Sequence, residues 1–173
     1  MNKFIVILLS LMSFNSIAGI AERPSYTYPS IALDRYEWIV NGDNSLISIY
    51  LTDEAKKFIS KDELERYTKL KMRNFVSAIK LINESDKYDY NYLDIKLELN
   101  KYNDQTRIYY GLISLQMYPS VSWSKGSPVP YQLTSAIAGS EAQLLTFIKQ
   151  DIDLMIETFA EDYYHISDLT EKK

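Results

Sequence analysis

Residues 93–100 alternate without a break, with Leu93, Ile95, Leu97 and Leu99 set against Asp94, Lys96, Glu98 and Asn100. Successive side chains of a strand point to opposite faces, so this period of two describes a strand with one face on a core and the other in water. The polar NDQT at 103–106 interrupts the pattern and the β-rich RIYYGLISLQM follows, so the two runs read as a long antiparallel hairpin. On the return strand the more apolar side is Tyr109, Ile113, Leu115 and Met117, with Gly111 among them. For that side to meet Leu93–Leu99 the turn must hold an odd number of residues, because a slip of one turns every side chain over.

A sheet with one apolar face needs a cover, and two segments have the pattern for it. Ser60 followed by Glu63 is a capping box, a serine oxygen taking a free backbone N–H at a helix start. Over 61–75, Leu64, Tyr67, Thr68 and Phe75 share one helix face, with Leu70 and Met72 on its flanks; Asp62, Glu65, Arg66, Lys69 and Arg73 face water. Ser140 and Gln143 repeat the signal before a longer helix reaching about His165. Its apolar stripe is Leu145, Ile148, Ile152, Met155, Ile156, Phe159 and Tyr163; Gln150, Glu157, Thr158 and Glu161 lie opposite, with Leu154 the apolar exception. The polar side is acidic, whereas a helix lying on a membrane surface carries Lys and Arg there.

Other segments are read more coarsely. RYEWIV (35–40) and SLISIYL (45–51) flank NGDN, and Asn41-Gly42 is a hairpin-turn signal because both residues tolerate positive φ. Either the two runs pair, or only the second joins the main sheet. SAIKLIN (77–83) is a short strand, and ESDKYDYN a polar, tyrosine-rich loop. Residues 120–139, rich in Ser, Gly and Pro, read as a loop holding Trp123 among Ser120, Ser122, Ser124 and Ser127. The fold these pieces imply is α+β, a two-layer sandwich whose four- to five-stranded, mainly antiparallel sheet carries two helices on one face. The expected organisation is a signal peptide (1–18), an extended lead-in and first strand (19–44), a single α/β domain (45–165) and a frayed tail (166–173).

The first residues support export: Lys3, an apolar run over 4–12, then small residues, with Ser16 and Ala18 at a cleavage point and Ala21 as the alternative. The apolar run is too short to span a bilayer, so no integral membrane segment is expected once it is cleaved. The chain has no cysteine, which removes disulfides, thiolate ligands, a cysteine nucleophile and the cysteine that a bacterial lipid anchor requires. With 19 basic and 23 acidic side chains it is mildly acidic, and its densest basic cluster is KLKMR at 69–73. Attraction of nucleic acid or of an anionic membrane surface by long-range charge is therefore not expected.

Chemistry-bearing motifs are sparse. His165 is the only histidine, and no G-x-S-x-G accompanies it. Asp151 and Asp153 point in different directions on a helix, and the neighbours Glu161 and Asp162 are read on its polar side, diverging by about 100°. No glycine loop for phosphate is visible, so no catalytic residue, metal ligand or cofactor site is assigned. Tyrosine stands out at 15 of 173 residues, with Tyr26, Tyr28, Tyr88, Tyr90, Tyr92 and Tyr118 in loops and edges, which suits a contact surface. The candidate partner-binding residues are Trp123, Ser124, Tyr131 and Tyr118.

DELERYTKLKMRNF, LDIKLEL, YYGLISLQMYPSV, SVSW and IETFAEDY, the last ending in F-x-x-D-Y (Phe159, Asp162, Tyr163), occur in that order. In this series the chain, from about residue 45 to 164, resembles a group of secreted bacterial α/β proteins of unknown function. The resemblance implies the fold and the compartment, and no activity. The reading is a periplasmic or secreted non-enzymatic module that binds an envelope protein or assists assembly. The alternatives are an enzyme inhibitor acting through the 120–131 loop and a hydrolase with an unrecognised site. The expected mature chain begins at Gly19, and mass spectrometry of the protein recovered from the bacterial periplasm checks this; an uncut N-terminus would remove the export reading.

Overall fold

The computed structural model describes residues 36–42, 44–82, 90–103, 105–119 and 130–171. Its strands are β1 (Asn44–Leu51), β2 (Lys80–Ile82), β3 (Asn91–Lys101), β4 (Ile108–Pro119) and β5 (Tyr131–Ser140). Its two long helices are α1 (Lys61–Phe75) and α2 (Glu141–Thr170). The strands form one mixed sheet in the order β2-β1-β3-β4-β5. The pairs β1–β2 and β1–β3 are parallel; the longer ladders β3–β4 and β4–β5 are antiparallel. Parallel neighbours cannot be joined by a tight turn, and α1 supplies the crossover from β1 to β2.

The alternating ribbon is β3, the central strand, and Leu93, Ile95, Leu97 and Leu99 are all buried. Their cross-strand partners on β4 are Met117, Leu115, Ile113 and Gly111, so the two apolar sides coincide. Lys101 pairs with Tyr109, which leaves an odd number of residues in the turn as the patterning requires. Within the turn the Asn103 side chain accepts the backbone N–H groups of Gln105 (3.0 Å) and Thr106 (2.8 Å), a local bond typical of asparagine. On the other side of β3, the Thr52 hydroxyl extends the ladder beyond β1, accepting from Leu99 N–H at 3.0 Å and donating to Leu99 C=O at 3.2 Å.

Both helices pack on this apolar face, α1 over β1 and α2 over β4 and β5. Ser60 is the N-cap of α1, its Oγ 3.1 Å from Glu63 N–H. The buried stripe of α1 is Leu64, Thr68 and Met72; Met72 sits in its middle, not on a flank, and Leu70 is exposed. Ser140 also stands at the N-cap of α2, yet its hydroxyl donates to Gln143 Oε1 at 2.8 Å and accepts no backbone N–H. The helix runs past His165 to Thr170, so most of the tail expected to fray is helical, held by buried Ile166. Thr158 and Asp162, read as part of a polar face, are also buried.

Two further expectations are corrected. Residues 36–40 are helical, closed by Asn41 N–H to Glu37 C=O at 3.2 Å, and do not pair with β1. Neighbouring Trp38 and Ile39 are both buried, which a half-exposed strand forbids and a helical turn allows. Gly42 is needed for clearance and not for a hairpin: a Cβ there would come within 2.5 Å of the Asn91 side chain, whose amide reaches Trp38 C=O at 3.4 Å. The second correction is β5, where a loop was expected. Its inner positions are Tyr131, Leu133, Ser135 and Ile137, and its outer ones Gln132, Thr134, Ala136 and Ala138. Serine inside and alanine outside flatten the alternation that would have revealed it.

Gly111 tests the register. A Cβ on it would lie 1.8 Å from the Glu98 carbonyl oxygen, so backbone must move to accept any side chain. Gly111→Ala is expected to destabilise the fold by about 1–3 kcal/mol, the usual cost of an overpacked site, measured as a lower urea midpoint with little change in slope.

Candidate binding surface

Outward positions on the same strands build the face opposite the helices. At one end Tyr92 of β3 is paired with Leu46 of β1 and Tyr118 of β4. The Tyr92 and Tyr118 rings stack with centroids 5.0 Å apart, Tyr90 packs edge-on against Tyr92 at 5.2 Å, and the Tyr90 and Tyr92 hydroxyls share a 3.3 Å hydrogen bond. The Tyr118 hydroxyl donates to Asp94 Oδ2 at 2.9 Å. Burial, followed by that bond to a carboxylate, pushes the Tyr118 phenol up to about 12, so it is a fixed donor at physiological pH.

The middle of the face is polar, with rows Ser48–Asp94–Gln116–Gln132 and Tyr50–Lys96–Ser114–Thr134. The end nearest the β3–β4 turn carries large apolar side chains around the polar Glu98 and Asn100 of β3, which pair with Leu112 and Tyr110. Leu112 (46% exposed), Tyr110 (48%) and Ile108 (47%) stand on β4, Tyr102 (67%) lies across from Ile108, and the small outer residues Ala136 and Ala138 of β5 pair with Leu112 and Tyr110. Four large apolar side chains about half exposed on one end of a sheet are unlike the scattered exposed residues of an ordinary surface. The return strand RIYYGLI carries the signal for this, since it is apolar at both parities and so cannot hide both sides on one core.

Of the four residues proposed as partner contacts, Tyr118 is on this face. Tyr131 is not: it is fully buried on the inner side of β5, edge-on to Phe159 at 5.2 Å, with its hydroxyl donating to Asp162 Oδ2 at 2.7 Å. A side chain in that position anchors α2 to the sheet and offers no surface to a partner. Trp123 and Ser124 lie outside the described residues, as does most of the 120–131 loop.

The acidic residues on α2 diverge. Asp151 turns to β5, where Ser135 Oγ donates to it at 3.1 Å, and Asp162 turns to Tyr131. Asp153 turns to α1, accepting from the Tyr67 hydroxyl and from Lys71 Nζ, both at 2.8 Å. Glu63 of α1 meets Lys149 of α2 at 3.0 Å, so the two helices share a polar seam over the apolar layer. Each carboxylate has its own partner on a different element, an arrangement that anchors helices and does not converge on a reacting atom. His165 is exposed on α2, away from the helix end where it was expected. Among the described residues, no three His, Asp or Glu side chains gather where they could hold one metal ion. No helix among them is long and apolar enough to cross a membrane.

The architecture defined by these elements is an α+β sandwich with one covered and one open sheet face. No protein-family model matches the chain, and neither does any curated protein. Among solved structures it is similar to a PelC dodecamer from Paraburkholderia phytofirmans, at 10% identity over 67% of this chain and 85% of that one, with a TM-score of 0.44. A crystal structure described as an uncharacterized protein matches at 4% identity over 69% and 91% of the two chains, with a TM-score of 0.44. A minor lipoprotein from Acinetobacter baumannii matches at 17% identity over 69% and 90%, with a TM-score of 0.35.

Asp151 has a pH signature. Its burial raises the carboxyl above the ordinary 3.8, opposed by the Ser135 hydrogen bond. A group whose folded value is raised contributes stability that is fully present below the unfolded value of 3.8 and is lost as pH rises through the higher folded value. Asp151→Asn is therefore expected to be at least as stable as the parent at neutral pH, with any advantage shrinking as pH falls to 3.8; urea midpoints of both proteins across that range check it.

Proposed function

We propose that this chain is an exported, non-enzymatic module of the bacterial envelope that binds a protein partner through its open sheet face. The observation that carries the reading is the apolar end of that face, where Tyr102, Ile108, Tyr110 and Leu112 are held in water by strands whose other side is fully covered. A partner that dries this patch gains roughly 25 cal/mol per Å² of apolar surface removed from water. The polar middle rows and the Tyr92–Tyr118 stack then supply direction, since hydroxyls and amides there have set positions. Export is supported by the N-terminal pattern of one lysine, an apolar run and small residues.

The test is site-specific photocrosslinking in the periplasm from position 112, compared with the same probe in a protein carrying Tyr110→Glu. Both positions are exposed, so folding is expected to be unchanged. A discrete adduct with one envelope protein, weakened about tenfold or more by Tyr110→Glu, is the expected result. Adduct formation that ignores Tyr110→Glu but disappears with Trp123→Ala would move the contact to the 120–131 loop and favour the inhibitor reading. Turnover of a substrate by the purified protein would replace both.

A further inference from the structure

The basic cluster KLKMR has a place in the fold that the binding reading does not use. Helix periodicity puts Arg66, Lys69, Leu70 and Arg73 on one side of α1, at spacings of three and four. The chain then turns directly into β2, the edge strand, which brings Lys80 and Leu81 opposite that side. Between them is an open cleft of about 540 Å³. Four of its lining residues are cationic and none is acidic, in a chain whose net charge is −4.

Charge bookkeeping inside the cleft is unbalanced. Lys69 is offset by Glu65 one turn back, at 3.0 Å. Arg66 donates from Nε to the Asp62 carbonyl at 3.3 Å, a local bond that leaves the rest of its guanidinium fork available. Arg73 and Lys80 are exposed and have no ion-pair partner among the described residues. Like charges three and four apart on a helix repel, so this row is mildly destabilising unless an anion neutralises it. Two planar guanidiniums match the paired oxygens of a phosphate, and the ammonium groups add point charge. Leu70, 46% exposed, and Leu81 form an apolar wall beside the cations.

We propose that the cleft between α1 and β2 is a binding site for a small ligand bearing an anionic phosphate group beside an apolar portion. The ligand's anionic end lies against Arg66, Arg73 and Lys80, and its apolar portion rests on Leu70 and Leu81. The site is separate from the open sheet face and stands or falls without it. Two sources carry this chemistry, a free phosphorylated compound and the headgroup of an anionic phospholipid.

The experiment uses the mature full chain with two probes: inorganic pyrophosphate followed by calorimetry, and sedimentation with phosphatidylcholine vesicles with or without phosphatidylglycerol. Expected is saturable binding of at least one probe that weakens as salt rises and falls about tenfold or more in Arg73→Glu/Lys80→Glu, as lost charge-assisted bonds predict. Arg107→Glu, in the β3–β4 turn, removes a cation elsewhere and is expected to leave binding unchanged. Pyrophosphate binding identifies the free-compound source; binding only to phosphatidylglycerol vesicles identifies the headgroup. Binding of neither probe, or equal losses in Arg107→Glu and the double variant, overturns the proposal. Circular dichroism confirms that each variant is folded before it is scored.

Discussion

The burial of one side of β3 is the constraint on which the remaining architecture depends. As the central strand it pairs on both edges, and its inner leucines and isoleucine set which way every neighbouring strand must face. Each of the four inner residues of β3 gains roughly 2 kcal/mol by leaving water, a gain set against the conformational entropy lost on folding. Their burial is achieved only if cover comes from one side, so both helices are drawn to the same face. Among the described residues no helix covers the opposite face, which carries whatever side chains the outward parity of each strand supplies.

The helices are held by apolar packing on the sheet and by polar contacts that add direction to it. Three of the four aspartates of α2 make contacts that fix its rotation and depth against the sheet and α1. Asp151 and Asp162 bind β5 hydroxyls and Asp153 reaches across to Tyr67 and Lys71 of α1. Burying a carboxylate on a single hydroxyl is costly, as the raised Asp151 carboxyl records. The gain is in defining one arrangement among many of similar apolar burial, since a rotation of α2 would strand two buried charges.

Where the physics is local, the sequence alone was sufficient. The β3 alternation, the odd turn and the Ser60 cap each follow from neighbours a few residues apart. The failures involve long-range partners. Nothing near Ser135 announces that Asp151 will satisfy it, so β5 did not read as a strand. Trp38 and Ile39 looked like strand residues because Asn91, some fifty positions on, is what seats the helical turn by holding Trp38 C=O. Asp162 belongs to the buried side because its partner Tyr131 lies on the inner side of β5, a contact 31 residues away in sequence. The candidate surface is half legible: Tyr118 stands among aromatic neighbours in the sequence, while Tyr110 and Leu112 emerge only from the outer parity of their strand.

That open parity bears on what the chain can be. Outer sheet positions need only solubility, and threonine, lysine or glutamate would serve at Ile108, Tyr110 and Leu112 without touching the core, since these side chains point away from it. Leaving them apolar raises the risk of aggregation, and more so beside β5, a ten-residue edge strand with neither a charged residue nor a proline to blunt pairing. An isolated monomer would be better off without such a combination, and a protein that spends its time in contact with another one would not. The same reasoning gives the cleft on the helix side its weight: uncompensated cations there are tolerable singly but come as a group. Apolar excess and cationic excess thus lie on two separate surfaces, each unfavourable when left in water.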